Sequence, residues 1–448
     1  MMNTTDFQKE LLKQAKATGF SEAEAYYERS DSFKCMIFNG EVDSYETSEE
    51  AGIGFRGLYN GNMGYAYTEK IDESSIAFLV ENAKANADIL DESDNSSIFE
   101  GSKEYVQHSF YNPELKKIGI PEKIELIKAI EQKVLAYDPR ITTLNYCMLE
   151  DFNSERLMIN NKGLSLQDER NGLYIFVSAV VKADNEMKTG HVIKMTRDFH
   201  TLNADEIATE LAKEALSYLG GKTIPSGKYP VVFRHDSAAS LLAIFSEIFS
   251  AENTQKDQSL LKGKVGEKIG SDLLTLIDDP FHPDAFSGSS FDGEGVATKK
   301  RTIISNGTLE TILHNRKTAK IDGCESTGNA YKSSYKGTLT IAPQNLYIAP
   351  GEQNREQILG NLPNGIYITN LSGLHSGTNT ISGDFSVEAT GYHIKDGNIE
   401  SPINQMTIAG NFYYLMKTID AIASDLTFQP GGYGSPSLLV KELAVTVD

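Results

Sequence analysis

Three cysteines in 448 residues, Cys35, Cys147 and Cys324, are too few and too scattered for a disulfide framework. No CxxC pair offers a zinc knuckle, and the pattern predicts free, mostly buried thiols in a reducing compartment. Long apolar runs are missing as well. The longest, such as Leu173 to Val181, are strand-sized and fall short of the ~18 residues that a helical membrane span needs. The first fifteen residues mix Asp6, Lys9, Glu10 and Lys13 among apolar positions, without the basic start and apolar core of a signal peptide, so the expected location is cytoplasmic. Positive charge is in deficit. Lys and Arg number 42 against 62 Asp and Glu, giving a formal charge of −20 and a pI near 4.9. Such a surface repels phosphate backbones, and no Lys/Arg run interleaved with aromatics offsets it, so neither direct nucleic-acid binding nor a membrane partner is expected.

The remainder has an ordinary globular composition, with 40% hydrophobic and 23% charged residues. The length calls for more than one domain. An amphipathic helix runs to about Ala17, stopped by Gly19. Alternating segments at Lys34 to Phe38 and Val42 to Glu46 flank Asn39-Gly40, and Gly52 to Leu58 and Met63 to Tyr67 flank Asn60-Gly61, so two hairpins are expected. A helix from about Ser74 to Leu90, a polar loop over Asp91 to Tyr111 and a helix opened by Pro121 come next. Strands are then expected at Thr142 to Glu150, Glu155 to Ile159, Gly172 to Ala183 and His191 to Thr196. The strand-rich stretches near 34 to 67 and 144 to 196 are loosely alike, a weak sign of an internal repeat. Asn203 caps the next helix, and the breakers from Gly220 to Gly227 mark a domain boundary. The chain is therefore expected to be α+β, with residues 1–220 a domain of helices and antiparallel strands and residues 226–448 a mainly β domain with few helices. Within the latter, Tyr229 to Phe233 reads as a strand, Ser237 to Phe249 as an apolar helix and Phe412 to Ala423 as the one convincing later helix.

The residues alone offer no catalytic centre. Zinc hydrolysis needs about three converging ligands, usually including two histidines one helical turn apart. The eight histidines, His108, His191, His200, His235, His282, His314, His375 and His393, contain no such pair. His235 and Glu247 would stand about 18 Å apart along one helix, too far for one metal. There is no G-x-S-x-G elbow, no cysteine next to a histidine, and neither Gly293-Glu294-Gly295 nor Gly431-Gly432-Tyr433-Gly434 fits a phosphate loop.

Longer motifs are more specific. The stretch Phe291 to Thr298 (FDGEGVAT), then Asn306 to Leu309, Ser326 to Ala330, Ser376 to Asn379, Ser382 to Ser386, Ala389 to Gly391, Pro402 and Thr407 to Asn411 together resemble the TldD/PmbA family of metallopeptidases, also described as modulators of DNA gyrase, and its PmbA/TldE branch in particular. The resemblance implies a system in which a TldD-type chain binds zinc through an HExxxH helix and a cysteine in a Gly-rich segment near its C-terminus. In this chain Ala243, Ile244 and Ile248 fall where the first ligand, the general base and the second ligand would sit, and the segment Gly431 to Gly434 has no cysteine. The resemblance thus implies a non-catalytic TldE/PmbA-type subunit, with zinc only in a TldD-type partner and extended peptides as substrate. A homodimer is the alternative assembly. The competing functions are a stand-alone regulatory or peptide-binding protein of the gyrase-modulator kind and an independently active metallopeptidase with another site. For a peptide groove the candidate residues are Arg301, Thr327, Asn329, His375 and Asp384, with no catalytic or metal-binding residue expected.

Overall fold

Asn3 accepts the Asp6 amide and so starts helix α1 (Thr4–Ala17), which ends just before the left-handed Gly19. The structure is a computed structural model and describes residues 3–89 and 96–447. Three antiparallel strands, β1 (Glu22–Phe38), β2 (Glu41–Tyr59) and β3 (Asn62–Thr68), lead to helix α2 (Glu73–Asp88). Both expected hairpins form. Asn39-Gly40 and Asn60-Gly61 have φ of 54°, 79°, 49° and 87°, the doubly positive pattern of the tight turn that matches strand twist. Leu90 and residues 91–95 of the expected polar loop lie outside the described residues, and 96–111 carry no helix or named strand.

The chain then repeats the arrangement with α3 (Ile120–Tyr137), β4 (Ile141–Asn160), β5 (Ser165–Ala183), β6 (Glu186–Thr196) and α4 (Ala204–Ser217). The six strands form one antiparallel sheet in the order β3-β2-β1-β4-β5-β6. Two αβββα units therefore meet back to back along β1 and β4, where Glu24 opposes Asn160 and Met36 opposes Met148. The loose likeness of the two strand-rich stretches has this topological counterpart.

The strands are much longer than the sequence pattern suggests. Lys34 to Phe38 is only the end of β1, and the two strands expected within 142–159 are one 20-residue strand. Alternation explains why. On β1 the odd positions Ala23, Ala25 and Tyr27 pack with Phe7, Leu11, Ile53 and Leu79, and Phe33, Cys35 and Ile37 pack in a second core with Ile127, Ile130 and Leu211. The even positions Glu24, Tyr26 and Glu28 point to the opposite face, which is covered by the C-terminal half, so the stretch reads as polar while being buried on both sides.

After α4, residues 219–226 lead into β7 (Gly227–Phe233) and helix α5 (His235–Phe245). β7 pairs with Asn364–Ser372, which pairs with Asp384–Lys395, then Met406–Asn411, then Leu438–Val447, which returns to β7. The ring is closed and so has no free edge. Its core includes Val231, Phe233, Ile366, Ile368, Ile408 and Val440, and Phe245 of α5 stacks on Phe412 with centroids 4.6 Å apart. A second sheet of short strands, among them Leu276–Asp278, Arg301–Ser305, Leu346–Ile348 and Tyr433–Ser435, lies beside it.

The protein is α+β, with strands dominating the C-terminal half. Two details depart from the pattern reading there. The helix expected over Phe412 to Ala423 stops at Thr418, because Ile419–Ile422 leaves it to pair with the final strand. Short helices such as Arg316–Asp322 and Arg355–Gly360, capped by Asn315 and Asn354, look like turns in sequence because they are too brief to show a helical period. No described helix is long and apolar enough to cross a membrane.

Candidate functional site

Among the described residues β6 pairs only with β5, so its other edge presents unpaired backbone groups. That edge borders a groove of about 660 Å³. His191 to Met195 form one wall, Asn370, Leu371 and Thr427 to Pro430 the other, and Asp236, Ser237 and Ser240 at the start of α5 contribute to the lining. A backbone edge beside an open groove can accept an extended chain through main-chain hydrogen bonds, independent of that chain's side chains.

A charged knot holds the same region. Arg234, the last residue before α5, donates from Nη1 to Glu214 of α4 at 2.9 Å, from Nη2 to Asp236 at 2.6 Å and from Nη2 to the Thr369 carbonyl at 3.0 Å. It therefore ties the first sheet's helix layer to the barrel. Burial alone would raise the Asp236 carboxyl, but Arg234 outweighs it and holds the group below the ordinary carboxylate range. Burial pushes the His191 and His235 imidazoles down, so both are neutral near pH 7, and Nδ1 of His235 is buried without a hydrogen-bond partner among the described residues.

The five groove candidates do not gather here or anywhere else. Thr327 and Asn329 are buried and fully engaged: Thr327 Oγ1 accepts the His314 amide at 2.7 Å, and Asn329 Nδ2 donates to Asp278 at 2.7 Å and to the Ala342 carbonyl at 3.1 Å. Arg301 lies on the strand opposite Asp278, with one long contact of 3.4 Å to the Thr327 carbonyl. Arg301 and Asn329 thus flank Asp278, which also accepts the Gln344 and Asn345 amides at 2.8 Å each. His375 and Asp384 are exposed elsewhere, Asp384 being used to fix its own loop through Ser382 and Asn411. Turn-associated polar residues drew attention in sequence because such positions often carry function. Here they pin loops. The residues of the groove were missed because an edge strand's free backbone has no side-chain signature.

Three sequence profiles of one family match the chain: PmbA/TldA metallopeptidase domain 1 over residues 23–87, the central domain over 113–219 and the C-terminal domain over 226–447. An uncharacterised protein of Methanocaldococcus jannaschii is 30% identical over 437 residues, covering 96% of this chain and 98% of its own. The chain belongs to the PmbA/TldD family. Among solved structures, a Thermotoga maritima protein described as a candidate modulator of a DNA gyrase superposes with a TM-score of 0.92 at 33% identity, over 99% of this chain and 100% of the other. TldE from Thermococcus kodakarensis shares the fold at a TM-score of 0.89 and 24% identity, over 98% and 100%.

For a PmbA/TldD-family chain, the zinc position implied by the resemblance can be tested for fit. Helix α5 packs against the hairpin formed by Thr427–Gln429 and Tyr433–Ser435, so the helix and the Gly-rich segment do come together. Just past the end of α5, Ser246 Oγ and Tyr433 Oη lie 3.0 Å apart, while Ala243 and Ile244 are half-buried and Ile248 is buried. Methyl and butyl groups cannot ligate zinc. Among the described residues no three His, Cys, Asp or Glu side chains converge as a metal would require. The residues do not fit a zinc ion at this place.

The motif by which the family is recognised in sequence has a different job. Asp292 of FDGEG accepts the amides of Glu294 and Val296 at 2.9 Å each and of Ala330 at 3.0 Å. Glu294 reaches across to Arg56 of β2 at 3.9 Å, and Arg56 makes a two-pronged pair with Glu24 of β1 at 2.7 and 3.0 Å. Tyr105 donates to the Gly295 carbonyl at 2.7 Å. The motif clamps the six-stranded sheet to the C-terminal half through a buried ion cluster.

Proposed function

We propose that this chain is a non-catalytic TldE/PmbA-type subunit that works in the cytoplasm with a zinc-binding TldD-type chain, and that an extended peptide lies along the free edge of β6. The observation that carries the reading is the pairing of α5 with the Gly-rich hairpin, in which the side chains available at the family's zinc position are alanine, isoleucine and tyrosine rather than ligands. The groove along β6 supports the second part, because its wall is unpaired main chain and an unfolded peptide offers main-chain groups in any sequence. Arg234 holds α4 and the start of α5 together at that groove. The formal charge of −20 favours a peptide role over direct DNA contact.

The test combines metal content with activity. The purified chain is exposed to excess zinc, freed of loosely bound metal and assayed on an unfolded reporter peptide, alone and mixed with a TldD-type chain from the same source. The expected result is no stoichiometric zinc, no hydrolysis alone and a changed rate or product pattern in the mixture. About one zinc per chain together with hydrolysis by the chain alone would overturn the proposal. Light scattering of the mixture distinguishes a mixed assembly from a homodimer.

A further inference from the structure

Strand alternation sorts the side chains of the six-stranded sheet onto two faces, and away from the seam the two faces differ. On the helix side Cys35, Leu149, Val177 and Val192 are buried in the core that α3 and α4 share. The residues between them point the other way. Met36 stands opposite Met148, Met148 opposite Phe176 and Phe176 opposite Ile193, an uncharged row that crosses β1, β4, β5 and β6. With strands about 4.8 Å apart, the row is about 14 Å long. All four side chains are half-buried, and none joins a hydrophobic core among the described residues. Tyr146, whose ring centroid lies 5.6 Å from that of Phe176, is 49% exposed beside them. Nearer the seam the same face is covered by the C-terminal half, where Phe286 packs on Phe152 and occupies the space that a side chain at Gly172 would take. The row lies further along β5 from that cover.

At its other end the row reaches the groove. Ile193 and Met195 line it, Met195 standing opposite Tyr174 as Ile193 stands opposite Phe176, and the strand edge beside them is the unpaired one among the described residues. A strand added at that edge keeps the sheet's period of two, so every second side chain extends the apolar face and the intervening ones turn toward α4. The two sides offer different neighbours. A residue opposite Ile193 or Met195 gains apolar contacts, whereas on the other side it meets Lys194 bridged to Glu210 of α4 at 2.6 Å. An apolar group there displaces water from an ion pair without replacing its hydrogen bonds, and a charged group over the uncharged row loses hydration with no partner in return. We propose that the β6 edge selects extended peptides with large apolar side chains at alternate positions, Ile193 and Met195 setting the preference. This rests on the reading of β6 as a peptide-binding edge and adds to it a substrate class: main-chain bonds hold any sequence, and the apolar row grades sequences by where their apolar residues fall.

Two fluorescein-labelled peptides of identical composition test the preference by anisotropy with the purified full chain. Both are short runs of serine and asparagine with two phenylalanines, separated by one residue in the first peptide and adjacent in the second. The first should bind about fivefold more tightly, because both its rings fall on the apolar side. In the double variant Ile193→Ser, Met195→Ser the two peptides should bind alike. Equal binding to the unaltered chain would overturn the preference and leave the β6 edge standing, whereas binding of neither peptide would remove the edge and the preference with it. A preference that survives in the variant would place the selection elsewhere and overturn the proposal too. Were the unaltered chain dimeric by light scattering and the variant monomeric, with both peptides bound alike, the row would seat a second copy of the chain and the proposal would fall. The comparison on the unaltered chain decides the matter even if the variant does not fold.

Discussion

The seam between the six-stranded sheet and the C-terminal half and the groove along β6 solve one problem in opposite ways. Both must accommodate polar groups that folding removes from bulk water. At the seam Glu24, Arg56, Asp292 and Glu294 are buried and bonded to one another or to backbone amides, leaving nothing for a ligand to do. Along β6 the polar groups are those of the main chain, left unpaired on one side of an open groove and anchored at its end by Arg234. The motif that identifies the family belongs to the seam, whereas the groove is lined by residues with no motif. A sequence signature can therefore mark the place where breaking the structure costs most rather than the place where a ligand is handled.

The seam should give the larger stability effects. Arg56→Ala leaves Glu24 buried without its partner, and a buried pair broken on one side costs about 3–5 kcal/mol, measurable as a fall in the urea midpoint at constant slope. A loss below about 1 kcal/mol would mean that water reaches the cluster and would erase the contrast between seam and groove. Arg234→Ala should cost less, about 2–3 kcal/mol, since its side chain and those of Glu214 and Asp236 keep 15%, 19% and 22% of their exposure and water can partly replace the lost bonds.

Asp278 allows the buried side to be probed by pH. Burial raises its carboxyl to about 6, although Asn329 and two backbone amides favour the charged form. The folded state then binds this proton more tightly than the unfolded state does. The stability it contributes is present below the unfolded value near 4 and lost as pH rises to about 6, a change of about 3 kcal/mol. Buried Asp292 and Glu294 are shifted the same way, so the comparison of wild type with Asp278→Asn across pH 4 to 8 isolates the Asp278 share. Asn329→Ala removes a bond to the charged form. It should lower stability at pH 7 by about 1–2 kcal/mol and extend the decline to higher pH. A pH-independent loss would show that Asn329 acts through Ala342 alone.

Much of the architecture was legible because it rests on local physics. Asn39-Gly40 and Asn60-Gly61 have few other uses than tight hairpins, and Asn203 accepts the amides of Asp205 and Glu206 as a cap should. Strand length was not legible, because Glu24, Tyr26, Glu28, Arg156 and Asp168 look solvated in sequence and are instead buried across the seam, where only the fold supplies partners such as Ser289 and Glu294. At the candidate site, the lack of ligands at Ala243, Ile244 and Ile248 could be read directly. The groove could not, since it arises from the meeting of β6 with a strand almost two hundred residues away in sequence, and Arg301, Thr327, Asn329, His375 and Asp384 were candidates only by their polarity and turn positions.

The smallest stability effect should carry the clearest functional signal. In an antiparallel pair successive residues alternate between pointing both backbone groups at the neighbouring strand and pointing both away, so of Ile193 and Lys194 one donates its amide to β5 and the other faces the groove. Proline is tested at each position separately. The inward replacement removes a ladder bond and should cost about 2 kcal/mol or more, whereas the outward one should stay within about 1 kcal/mol of wild type. If an extended peptide pairs with this edge, the outward variant should nevertheless lose most of its effect on cleavage of an unfolded reporter peptide by the mixed subunits. Alanine at the same position keeps the amide and should retain that effect. Equal activity of the outward proline and alanine variants would leave the edge without a role in recognition, and the groove would then differ from the seam only in being open.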